Sequence, residues 1–185
     1  MSDAPRDVTD LVGGQRWVFR RTGADTNGEL LEADFYVYPG GFVREHVHPT
    51  QEETFVGVSG RFVVEVAGET RTVGPGERLV VPPRTPHGFR DSPEEAHLVV
   101  EVRPALRLDD YFRVFLGLSR DRRIRMPAGG LPGPPLLVAA VLDRFAPEIA
   151  APRIPLRVQR LGWQLLARVA RRCGVSASFP EYGAP

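Results

Sequence analysis

The chain has 185 residues, 42% of them hydrophobic and 25% charged, a balance that suits a packed globular unit and excludes wholesale disorder. Its 24 basic residues, all Arg, stand against 23 acids, and a net charge of +1 excludes a global attraction to nucleic acid or to a membrane. The 19 Gly and 18 Pro are too many for a helical bundle and suit short strands joined by turns.

Residues 1–14 are polar and end in Gly-Gly, and read as an N-terminal arm. Their polarity predicts no signal peptide, and the longest apolar run, Leu136 to Leu142, is too short to cross a bilayer. The single Cys173 allows no internal disulfide, so a cytoplasmic location is expected. From Arg16 to about Arg103, turn signals such as Asn27-Gly28, Pro39-Gly40-Gly41, Ser59-Gly60 and Gly74-Pro75-Gly76 separate short alternating runs. Leu31, Ala33, Phe35 and Val37 share one face, with Glu32, Asp34, Tyr36 and Tyr38 on the other. Phe62, Val64 and Val66 repeat the pattern, as do Leu98, Val100 and Val102. This is antiparallel β structure.

After Pro104 the period changes. Leu108 to Leu116 has helical spacing, with Asp109 and Asp110 in the first turn, where the helix dipole favours anions. A Pro/Gly-rich connector over Leu131–Pro135 precedes a second helix through Leu136, Val141 and Phe145. A third helix is predicted from Pro155 to Cys173, stopping at Gly174. The chain therefore divides into the arm (1–14), a β-barrel (15–104) and a helical extension of about three helices (105–185) packed on the barrel or at a dimer interface.

Three of the four histidines fall in two short windows. In the first, Gly40 to Glu53, residues two apart on a strand share a side, so His46 and His48 present their rings together with Phe42 and Arg44. Glu53 lies five residues past His48, across the Pro49-Thr50 break, where the next strand can return beside the pair. In the second, Gly74 to His87, a strand ends in a Pro-rich turn that aims His87 inward. Three imidazoles and one carboxylate suit one divalent transition metal: Fe, Mn, Ni, Cu, Co or Zn. Four protein ligands leave two positions free on an octahedral ion, which suits catalysis more than a closed structural site.

These windows resemble the two motifs of the cupin superfamily. The first motif reads Gly40, His46, His48, Glu53 and Gly60 with every spacing met. The second reads Gly76, Pro82, Arg84, His87 and Asp91, with Arg84 in place of the motif Gly and Asp91 in place of the motif Asn. The resemblance covers roughly residues 29–103. It implies a mainly β protein, a double-stranded β-helix jelly roll with the metal inside one end, and His46, His48, Glu53 and His87 as the ligands. It also implies a homodimer as a common state. The departures at Arg84 and Asp91 bear on turn geometry and pocket lining.

Other residues carry two readings each. Arg44 orients an anionic substrate or forms a salt bridge at the barrel mouth. His97 reads as an exposed strand-end residue rather than a fifth ligand. Tyr36, Tyr38 and Phe89 line the pocket or pack in the core. Glu52 points outward, Glu101 is a possible acid/base group if it faces in, and Cys173 reads as a buried packing residue. On the last helix Arg157, Arg160, Arg168, Arg171 and Arg172 share one side, with Leu165, Leu166, Val169 and Cys173 on the other. The basic row is a solvated face over a helix docked on the barrel, or a patch for an anionic partner or membrane surface.

The reading in function is a metal-dependent enzyme acting on a small organic molecule, foremost a non-haem dioxygenase with Fe favoured. A non-redox lyase, isomerase or cyclase using the ion as a Lewis acid is the second reading, and a non-catalytic small-ligand-binding barrel the third.

Overall fold

The computed structural model describes residues 4–10, 13–89, 93–125, 133–176 and 178–184. Asp91, the second motif's last position, and Leu131 of the connector lie outside the described residues.

Among the described residues, ten strands form two antiparallel sheets. They are β1 (Asp7–Asp10), β2 (Gln15–Arg21), β3 (Leu31–Val37), β4 (Val43–His46) and β5 (Glu52–Ser59), then β6 (Phe62–Val66), β7 (Glu69–Val73), β8 (Arg78–Val81), β9 (His87–Phe89) and β10 (Ala96–Arg103). One sheet runs β1-β2-β3-β10-β5-β8 and the other β4-β9-β6-β7. Apart from the β1-β2-β3 and β6-β7 pairings, strands adjacent in sequence are separated in space, and the chain crosses from sheet to sheet between them, as in a jelly roll. The N-terminal arm is part of the sheet: Asp7–Asp10 pairs with β2, Val8 opposite Trp17.

Alternation in the sequence sets the two faces of each strand. Leu31, Ala33, Phe35 and Val37 of β3 and Leu98, Val100 and Val102 of β10 are buried between the sheets. Four Phe rings tie the layers together. Phe62 lies 5.3 Å from Phe55, 5.1 Å from Phe89 and 6.2 Å from Phe35, so rings from both sheets share one cluster. Each such ring contributes roughly 1.5–3 kcal/mol by burial, and the edge-on geometry adds to it.

Three helices follow the barrel: α1 (Leu108–Arg120), α2 (Pro135–Arg144) and α3 (Leu156–Arg172). In α1 the two acids of the first turn hold Arg113, at 2.8 Å from Asp109 and 2.9 Å from Asp110. Trp17 of β2 stacks between Phe35 and Phe112, both at 4.2 Å, and so seats α1 on the sheet. The α2 helix begins at a Pro, whose missing N–H costs nothing there. The α3 helix docks on α2 and ends at Gly174, which has a φ of +78°. Its buried residues are Gln159, Ala167 and Ala170. Two expectations are corrected here. Leu165, Leu166 and Val169 face outward, and Cys173 is exposed, because small residues make the close helix seam and leave the larger apolar side chains outside it. Among the described residues no helix is long and apolar enough to cross a membrane.

Candidate metal centre

The four side chains singled out by spacing come together from distant stretches of chain. His46 ends β4, His48 follows it, Glu53 is the second residue of β5, and His87 opens β9. One donor atom from each lies within 4.8 Å of the others. The ring of His46 is 4.2 Å from that of His87 and 5.0 Å from that of His48. His48, Glu53 and His87 are buried, and His46 is half-buried, so access to the cluster is on its side.

A break in alternation places His46. The β4–β9 ladder pairs Val43 with Phe89 and His46 with His87, and the register shifts between the two pairs. Three steps on β4 match two on β9, so one extra residue is accommodated there as a bulge. Val43 therefore packs on the core while His46 also turns to the cluster. Arg44 and Glu45 occupy the bulge. Strict alternation therefore does not by itself set the side on which Arg44 stands relative to His46.

Each ring is oriented through its Nδ1. That atom lies 2.9 Å from the Arg44 carbonyl in His46, 2.6 Å from the Glu148 carbonyl in His48, and 2.9 Å from the Thr85 carbonyl in His87. A carbonyl oxygen only accepts, so each Nδ1 carries the proton and donates it. In the neutral ring this leaves the lone pair on Nε2. His48 Nε2, His87 Nε2 and Glu53 Oε2 are buried and make no hydrogen bond. Glu53 Oε2 stands 2.9 Å from His87 Nε2 and 3.7 Å from His48 Nε2 without the alignment of a donated proton. Ring lone pairs facing a carboxylate repel one another unless a cation lies among them. The donor set fits a divalent metal ion, held by nitrogen and carboxylate oxygen.

The electrostatics agree with that fit. Burial disfavours charge on His46, and His87 and His48 add to the effect, so its pKa falls well below the ordinary imidazole value. Burial also opposes charge on His87, but the adjacent Glu53 carboxylate outweighs it and raises the pKa. At Glu53 burial pushes upward, while His48 and His87 push further down, and the carboxyl stays ionised.

Residues around the cluster are placed as follows. Arg84, at the motif glycine position, has a φ of +64°, the backbone region glycine adopts without strain. Its N–H donates to the His48 carbonyl at 2.8 Å, so the turn before His87 also holds the loop of His48. Gly60, another motif glycine, has a φ of +69°, and a Cβ there would meet the Glu95 carbonyl at 2.1 Å. His97 is outside the cluster: it lies 2.6 Å from Asp34 and stacks on Tyr36 at 4.3 Å. Phe89 packs in the core, whereas Tyr36 stands on the outer face. Glu101 lies between the buried Val100 and Val102 and turns outward, toward Arg103 at 3.7 Å, and Glu52 is exposed.

Two contributors were missed in the sequence. The Glu148 acceptor is a backbone carbonyl, and the paired N–H···O bonds between Val47 and Ala150, at 2.9 and 3.0 Å, bring it to His48. Gln51, fully buried between two ligands, donates to the carbonyls of Pro104 and Ala105 at 3.0 and 3.1 Å. Its polar side chain inside the motif window was the available signal.

Residues 34–102 match the family model described as Cupin domain. A curated relative, "Polyketide synthase CurC" from Streptomyces cyaneus, is 37% identical over 67 residues, 36% of this chain. The chain spans 44% of that relative's length. Among solved structures, KdgF from Halomonas sp. is similar over 53% of this chain and 86% of its own, with 23% identity and a TM-score of 0.46. An RmlC-like cupin from Shewanella frigidimarina NCIMB 400 covers 56% of this chain and 86% of its own, with 24% identity and a TM-score of 0.47.

Proposed function

From a chain that belongs to the cupin superfamily through residues 34–102, we propose a metal-dependent enzyme that acts on a small organic molecule as a non-haem dioxygenase. The observation that carries this reading is the set of three ring nitrogens and one carboxylate oxygen within 4.8 Å of one another, of which His48 Nε2, His87 Nε2 and Glu53 Oε2 are buried without hydrogen bonds. His46, His48, His87 and Glu53 hold the ion, Fe being favoured. A bound divalent ion of this kind supplies electron transfer between substrate and dioxygen, or polarisation of a carbonyl where the reaction is not redox.

The chain's own residues do the rest. The Arg44, Glu148 and Thr85 carbonyls fix the three rings in one tautomer and raise their basicity as ligands. Glu53 contributes one negative charge, so the loaded site keeps a net positive charge that attracts an anionic or carbonyl-bearing substrate. Arg44, in the bulge beside His46, is the residue we assign to orient such an anion. The buried aromatic cluster of Phe35, Phe55, Phe62 and Phe89 keeps water from the inner end of the barrel.

The match to a protein named a polyketide synthase favours a second reading, lyase, isomerase or cyclase chemistry on a carbonyl compound with the same four ligands. Elemental analysis of the purified protein, followed by turnover assays with and without dioxygen, separates the two. Iron content and oxygen consumption support the dioxygenase. Full activity with Zn under anaerobic conditions overturns it in favour of the second reading. A His46→Ala variant that loses metal but keeps ligand affinity would instead mark a binding protein without catalysis.

A further inference from the structure

Among the described residues, eight large hydrophobic side chains are exposed, and six of them lie between Ile154 and Val169. On α3, Val158, Leu161, Leu165, Leu166 and Val169 are 40% to 60% exposed. At ~100° per residue they span an arc of about 140°. The buried seam of Gln159, Ala167 and Ala170 lies on a different sector, turned roughly 130° away. This side of the helix is thus apolar, exposed and unused by the fold. The seam itself is firmly held: the Gln159 side chain donates to the carbonyls of Ala151 and Ile154 at 2.8 and 2.7 Å and accepts from the Ala151 N–H at 2.9 Å. The α3 helix is a fixed element presenting its apolar side outward.

Arg157, Arg160, Arg168 and Arg171 fill the sector between that seam and the apolar stripe, Arg172 sits at the stripe's edge, and all five are exposed. From residue 149 to residue 180 the chain has no Asp or Glu, although over its whole length acids and bases nearly balance. The helix itself therefore supplies no acid to offset its cationic row. A second copy of the chain would bring two such rows together, and like-charge juxtaposition opposes that contact. An apolar stripe flanked by Arg fits a surface that is itself apolar below and anionic above.

We propose that α3 is a peripheral membrane-binding helix. It lies in the headgroup region of an anionic bilayer, with Val158, Leu161, Leu165 and Val169 against the acyl chains and the Arg row on lipid phosphates. The barrel and its metal cluster stay outside the bilayer, on the other side of the seam. Such a placement brings the candidate active site to where membrane-partitioned organic molecules are concentrated.

The test is sedimentation of the full-length protein with vesicles of phosphatidylglycerol and phosphatidylcholine against vesicles of phosphatidylcholine alone. Binding is expected with the anionic vesicles, weak or absent with the neutral ones, and declining as added salt shortens the screening length. The triple variant Arg157→Gln/Arg168→Gln/Arg172→Gln is expected to weaken binding by about fivefold per residue, on the order of a hundredfold in all. A Leu161→Ser/Leu165→Ser variant is expected to lose binding while keeping its helical circular dichroism, since both side chains are outside the core. Absence of sedimentation with anionic vesicles at low salt overturns the proposal. So does unchanged binding in the Arg variant, or an α3-dependent dimer in solution that ignores vesicles.

Discussion

The Nδ1 of His48 lies 2.6 Å from the backbone carbonyl of Glu148, one hundred residues further along the chain. A turn that follows α2, outside the barrel, thus sets the proton position on a ring inside it. The strap is the Val47–Ala150 pair of backbone bonds. Replacing Ala150 by Pro removes the N–H that reaches the Val47 carbonyl at 3.0 Å and leaves that buried acceptor unpaired. The expected cost is about 1–3 kcal/mol of stability. Metal affinity is expected to fall 10- to 100-fold, the range seen when an outer partner of a ligand is lost. Calorimetric metal titration beside a thermal melt checks both, and an unchanged dissociation constant would show that His48 holds its orientation unaided.

Gln51 sits between the ligands His48 and Glu53 and bonds to Pro104 and Ala105 at the barrel's exit. A Gln51→Leu substitution fills the volume but strands the buried carbonyl of Ala105 and removes the donor to the part-buried carbonyl of Pro104. The expected loss is about 1–3 kcal/mol, or roughly 2–12 °C in melting temperature for a chain of this size. A melt within 2 °C of the parent would refute the structural weight given to those two bonds (about 1 kcal/mol is the smallest shift at issue).

Much of this was legible in the sequence, and the reasons differ by element. The faces of β3, β6 and β10 follow from strict alternation, and the four-residue cluster follows from motif spacing, because both are properties of side-chain order along the chain. The bulge at Arg44 and Glu45 was hidden, since an extra residue is visible only against its partner strand. The Glu148 contact was hidden because every residue has a carbonyl. On α3 the periodicity separated the apolar sector from the basic one correctly, but it could not say which sector docks. Ala167 and Ala170 dock because small side chains allow the close approach to α2, and the larger residues are left to solvent.

Glu53 is the single negative charge among the donor atoms. Glu53→Gln keeps the shape and removes the charge, so metal affinity is expected to fall by more than about a hundredfold, beyond the loss an outer partner gives. Elemental analysis after dialysis reads this directly. Retention of stoichiometric metal by the variant would place the ion elsewhere.

The same carboxylate gives the metal-free protein a pH signature. His87 has a raised pKa because Glu53 stabilises its charged form against the cost of burial. Stability from that pair is fully present below the ordinary imidazole value of 6.5 and is lost as pH rises through the higher folded value. His46 acts in the opposite sense: its pKa is lowered, so its contribution is present above 6.5 and is lost as pH falls toward the folded value. A metal ion needs all three rings neutral, so near pH 6.5 its binding must displace the proton that His87 retains. Calorimetry in two buffers of different ionisation enthalpy is expected to show up to about one proton released per ion near pH 6.5, fading as pH rises past the His87 value. In a His87→Ala variant the released proton should disappear along with most of the affinity. If proton release were the same at all pH values, His87 and Glu53 would not be sharing the site with the ion.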